Sequence, residues 1–66
     1  MKEFKIDITI DKYKYNNDIV KSLLNEIILQ NNLDINKFDI KTNVEHNYKY
    51  IDKVLINFIF NLKEVI

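Results

Sequence analysis

The 66 residues balance ten Lys against ten Asp plus Glu and include no Gly, Ala, Pro, Arg, Cys or Trp, while Ile, Lys and Asn fill about half of all positions. Zero net charge leaves no global field to steer the chain onto nucleic acid or an anionic membrane, and the lack of Cys removes disulfides. A lone His offers little towards a metal site, and phosphate loops of the P-loop or dinucleotide type need glycines that are absent. The abundant residues have AT-rich codons and the missing Gly, Ala and Pro have GC-rich ones, which points to an AT-biased genome, such as that of a low-GC bacterium, one of its phages or plasmids, or a similarly biased eukaryote or virus.

The length fits one domain over residues 1–66, too small to bury a thick core. Charges at Lys2, Glu3, Lys5 and Asp7 interrupt the apolar stretch that a signal peptide needs. No segment reaches the ~20 apolar residues of a membrane-spanning helix. The expectation is a cytoplasmic chain with no membrane contact.

Phe4, Ile6, Ile8 and Ile10 alternate with Lys5, Asp7, Thr9 and Asp11, the period of a half-buried strand, β1 (about 3–11). Asn16, Asn17 and Asp18 can accept from the unpaired amides that open a helix. From Ile19 the residues Val20, Leu23, Leu24, Ile27 and Ile28 recur at helical spacing, with Lys21, Ser22, Asn25, Glu26 and Gln30 opposite, so a helix α1 (about 17–31) is expected. Asn31 and Asn32 suit its end, since Asn is the residue in this glycine-free chain that best tolerates a left-handed backbone, and Leu33 can fold back on the last turn.

Phe38, Ile40, Thr42 and Val44 alternate with Asp39, Lys41, Asn43 and Glu45 as a second strand, β2 (about 38–46), followed by a turn at His46-Asn47. The segment from Tyr48 to Leu62 is ambiguous. As a strand, β3 (about 49–62), it is apolar on both faces, which suits a central position; as a helix it strands Ile56 and Phe60 on the solvent side. Its Val, Ile and Phe, together with Asn57 and Asn61, favour the strand. The Tyr-Lys-Tyr triplets that follow the first two strands, at 13–15 and 48–50, raise the alternative of a βαβα tandem repeat.

The resulting architecture is α+β: a single βαββ domain whose three-stranded antiparallel sheet has order 1-3-2, with one helix on one face. The helix side should carry Phe4, Ile6, Ile8, Ile10, Ile40, Val44, Ile56, Phe58 and Phe60. The open side should show Ile51, Leu55 and Ile59 along its centre, flanked by Lys5, Asp7, Asp11, Asp39, Lys41 and Glu45, and this is the candidate partner surface.

Catalysis is poorly provided for. Ser22, Thr9, Thr42 and His46 are scattered over the chain, and no catalytic, cofactor-binding or metal-ligating residue is expected. Tyr13, Lys14 and Tyr15, with Tyr48, Lys49 and Tyr50, are the candidate nucleic-acid contacts, since aromatic faces stack on bases and Lys neutralises phosphate. The absence of Arg and of net positive charge weighs against them, and rings that frame the sheet explain them more simply. The expectation is a small noncatalytic protein-interaction module, homodimeric, acting as an inhibitor or accessory regulator from a phage or other mobile element. A nucleic-acid or nucleotide-binding module is the alternative.

Overall fold

The computed structural model describes residues 3–47, 49 and 52–63. Strand β1 (Glu3–Asp11), helix α1 (Asn17–Gln30), strand β2 (Phe38–His46) and strand β3 (Lys53–Leu62) follow in that order, with 3-10 turns at Lys12–Lys14 and Ile35–Lys37. The strands form one antiparallel sheet of order β1-β3-β2. The fold is therefore the α+β, βαββ arrangement expected from the sequence. The repeat alternative fails because the third segment is a strand. That strand begins at Lys53, four residues later than expected, and Lys49 and Asp52 lie in the connection before it.

Both ladders run without a break. Glu3 to Asp11 pair with Asn61 to Lys53, and Phe38 to His46 pair with Leu62 to Val54. Two backbone bonds extend them, from Lys12 N–H to Asp52 C=O and from Lys63 N–H to Lys37 C=O, at 2.7 and 2.8 Å. The register places Phe4, Phe60 and Ile40 in one row, Ile6, Phe58 and Thr42 in the next, and Ile8, Ile56 and Val44 in the third. Their side chains share the face that α1 covers.

α1 opens and closes on asparagines. Asn16 is extended, and its Oδ1 accepts from the Ile19 N–H at 2.8 Å, satisfying one of the helix's orphan amides. At the other end Asn32 takes φ 51°, Leu33 N–H donates to Ile28 C=O at 3.0 Å and Asn32 N–H to Leu29 C=O at 3.4 Å. This is a Schellman closure with asparagine at the left-handed position usually filled by glycine. The Asn31 side chain adds a bond to the Ile27 carbonyl at 2.8 Å.

Between these caps α1 turns Val20, Leu23, Leu24, Ile27 and Ile28 towards the sheet. Val54, Ile56, Phe58 and Phe60 of β3 have 0% exposure, whereas the inward residues of β1 and those that β2 adds to the core are only half-buried. One helix of roughly 10 Å diameter spans the width of about two strands, so the centre is sealed and the edges are not. At the end where β1 begins, Phe4 stacks on Phe60 with centroids 4.6 Å apart, and Phe38 meets both edge-on at 5.7 and 6.1 Å.

Phe58 and Ile59 are neighbours in sequence on opposite faces, so their truncation separates the two environments. Phe58→Ala is expected to cost about 3–5 kcal/mol of folding stability. Ile59→Ala, on the uncovered face, is expected to cost about 1–2 kcal/mol. Denaturant unfolding of the two variants measures the gap, and equal losses would place both side chains in one environment.

Candidate functional site

The face of the sheet away from α1 is built by the odd-numbered strand residues. Its centre line on β3 reads Lys53, Leu55, Asn57, Ile59 and Asn61. Leu55 and Ile59, two members of the apolar stripe expected from the sequence, stand on this face, each half-buried, with Asn57 between them. Ile51 lies outside the described residues. The stripe is thus divided by an amide.

That amide is held from both sides. Asn43 on β2 donates Nδ2 to Asn57 Oδ1 at 3.5 Å, and Asn57 donates Nδ2 to Asp7 Oδ1 on β1. The register puts Asp7, Asn57 and Asn43 in one row, so the three side chains form a polar bar across the sheet. On one side of it Ile59 sits between Lys5 and Lys41, whose aliphatic stems can lie along it while the ammonium groups stay wet. On the other side Leu55 sits between Thr9 and Glu45. An open groove of about 290 Å³ runs beside Leu55, lined by Asp7, Asn43, Glu45 and Asn57.

The flanking charges are partly committed within the chain. Lys5 and Glu3 lie 3.7 Å apart, and Lys63 and Asp39 lie 3.9 Å apart. Lys53 reaches across from β3 to Asp11 in a hydrogen-bonded ion pair with both side chains about one-third exposed. The hydrogen bond and charge of Lys53 hold the Asp11 carboxyl below the usual carboxylate range despite some desolvation, with further help from the Tyr13 hydroxyl and the Lys14 charge. Reciprocally, Asp11 raises the Lys53 ammonium above its ordinary value.

Tyr13 is 81% exposed, and Lys14 lies over its ring at 5.9 Å from the centroid. Tyr15 is half-buried against the core, and its ring meets His46 edge-on at 5.2 Å. The structure therefore separates the first Tyr-Lys-Tyr triplet, with Tyr13 outward and Tyr15 inward. Lys49 lies in the β2–β3 connection with φ 60°. Tyr48 and Tyr50 lie outside the described residues. His46 closes β2 rather than starting the turn, which begins at Asn47 with φ 60°.

Ser22, Thr9 and Thr42 are exposed on three different elements, and His46 is engaged with Tyr15. Among the described residues no three His, Cys, Asp or Glu side chains gather as metal ligands would. Among those residues, too, no helix is long and apolar enough to cross a membrane. The Asp7–Asn57–Asn43 bar escaped sequence reasoning because Asp7 and Asn57 are 50 positions apart and meet only through the β1–β3 register. The alternation did contain one signal for it, since Asn57 has the same parity as Leu55 and Ile59. No protein-family model matches this chain, and no curated protein or solved structure matches it significantly.

The Asp11–Lys53 pair fixes a pH dependence. Asp11 is depressed when folded, so its contribution is complete above the ordinary carboxylate value of about 3.9 and is lost as pH falls through the lower folded value. Lys53 is raised, so its share is complete below about 10.4 and is lost as pH rises through the higher folded value. Asp11→Asn should lower the melting temperature near neutral pH, with the difference closing in strong acid. Thermal melts of both proteins across pH check this, and a difference that persists in acid would assign the effect to something other than the ion pair.

Proposed function

We propose that this chain is a noncatalytic protein-interaction module that works as a homodimer and meets a protein partner through the helix-free face of the sheet. The observation that carries the reading is how little of the chain is sealed. Among the described residues the buried core is Ile27, Val54, Ile56, Phe58 and Phe60. Around that core the inward residues of β1 and those that β2 adds to it are only half-buried, so the edges of the sheet stay open. A chain this short with so thin a core gains from a partner that covers more of it. Half-buried Leu55 and Ile59, a polar bar between them and an incomplete ring of charge give the open face the mixed character of protein interfaces. In a phage or other mobile element of an AT-rich genome, a module of this kind acts by occupying a partner's surface, as an inhibitor or accessory regulator does.

Sedimentation equilibrium should find a dimer at micromolar concentration, with a melting temperature that falls on dilution. A monomer whose melting temperature is independent of concentration overturns the homodimer. Leu55→Lys combined with Ile59→Glu sets the new charges beside Glu45 and between Lys5 and Lys41, so it should preserve the fold and abolish capture of the protein partner from the source cell. Capture that survives the double variant places the partner elsewhere.

The nucleic-acid reading rests on Tyr13 and Lys14, the exposed described members of the first triplet, since Tyr15 is turned inward. Stacking is worth ~1–3 kcal/mol per base, so a functional platform would be easy to detect. No salt-dependent binding to single-stranded RNA or DNA is expected. A complex that weakens with salt and with Tyr13→Ala would instead establish that alternative.

A further inference from the structure

Strand β2 is an edge of the sheet, runs nine residues and pairs with β3 without a bulge. It has no proline to block its outer side, so it presents a full-length row of backbone donors and acceptors. On its helix-free face Lys41 and Glu45 stand two residues to either side of Asn43, all exposed, and neither charge has an ion-pair partner among the described residues. The other edge differs. On β1, Lys5 lies beside Glu3, Asp7 accepts from Asn57 and Asp11 is held by Lys53.

We propose that two copies of this chain join by antiparallel pairing of β2 with β2 about a two-fold axis at Asn43, giving a continuous six-stranded sheet. The proposal rests on the homodimeric reading above and names its interface. In this register Lys41 lies opposite the partner's Glu45, and Glu45 opposite the partner's Lys41. Opposite charges facing each other across strands are favourable, and like charges are not. Asn43 meets the partner's Asn43. Its Nδ2 carries two hydrogens, of which the bond to Asn57 uses one, and its Oδ1 can accept from the partner. The polar bar then runs unbroken through both protomers.

Neighbouring registers are poorer. Within β2, centring the pair on Thr42 sets Asp39 against the partner's Glu45, centring it on Lys41 sets two lysines together, and centring it on Val44 pairs no opposite charges; centring it on Ile40 does oppose Asp39 and Lys41 but pairs only Phe38 to Thr42, a shorter ladder than Ile40 to His46. On the helix side, exposed Thr42 lies opposite the partner's half-buried Val44, which the pairing covers. A helix above each β3 leaves the two helices ~14 Å apart, three strand spacings, which exceeds a helix diameter of about 10–12 Å. The grooves beside Leu55 come to lie on either side of the axis, so the dimer doubles the partner surface on one plane.

Charge exchange in the full chain tests the register. Lys41→Glu and Glu45→Lys should each weaken the dimer about tenfold or more in sedimentation equilibrium, because each turns two attractions into two repulsions. Combining the two should restore wild-type affinity. The chain has no native cysteine. Asn43→Cys should therefore give a disulfide-linked dimer on mild oxidation, since directly opposed Cα atoms lie ~4.5–5.5 Å apart, within bridging range. Thr9→Cys on β1 should not cross-link. Restoration and cross-linking together support the β2 interface. Absence of either, in a protein that is still a dimer, overturns this interface and leaves the homodimer standing; a monomeric wild type overturns both.

Discussion

Everything in this fold hangs on β3. Its four inward side chains, Val54, Ile56, Phe58 and Phe60, are fully buried, and both other strands pair with it and not with each other. The last strand in sequence is therefore the middle strand in space. Helix α1 must carry the chain from one edge to the other, so β1 and β2 run parallel with β3 inserted between them. The β2–β3 pairing is local, but Glu3 pairs with Asn61 near the far end of the chain. Closing that loop costs more entropy than closing the hairpin, and the return comes only when β3 is in place to accept it. Core, register and open face all follow from one strand finding two neighbours.

The elements that were legible in sequence are those in which one period dominates. β1 and β2 alternate apolar with polar, and α1 carries an apolar stripe at helical spacing, so side chain and backbone signals agree. The third segment is apolar at both parities, which is the mark of a central strand but also of a short buried helix, and only its Val, Ile, Phe and Asn content tipped the balance. What stayed hidden depends on register. Lys53 with Asp11, Asn57 with Asp7, and Tyr15 with His46 are contacts between segments more than 30 positions apart, and no local pattern contains them. The later start of β3, at Lys53, has a different cause. Asn47 takes its positive φ as its chemistry allows, but Lys49 also sits at φ 60°, a conformation that nothing about lysine advertises.

A chain without glycine must still end helices and turn corners. Here asparagine supplies the left-handed positions at Asn32 and Asn47, the helix cap at Asn16 and the bar residues Asn43 and Asn57. The same short amide accepts from a backbone N–H in one place and bridges two strands in another. Compositional bias therefore does not leave the fold without means of local control. It concentrates most of those means in one residue type: the cap, helix-end and turn asparagines are recognisable from their places between the periodic segments, whereas Asn43 and Asn57 take their role only from the register.

Asn57 shows how much one such residue can decide. A small sheet with one helix has a bare face, and an uninterrupted apolar line along its centre would stack against any similar surface, including that of another unfolded or folded copy. Placing an amide between Leu55 and Ile59 breaks that line into two small patches. Because Asn57 is tied to Asp7 and to Asn43, it cannot easily swing aside to let an apolar surface seal over it, and covering it without replacing its water contacts carries a desolvation cost. Only a partner that brings polar groups to the bar and apolar groups to the two patches meets the face without loss. For the partner surface proposed above, the bar would thus trade strength for selectivity, since it weakens contact with apolar surfaces that bring no polar group to meet it.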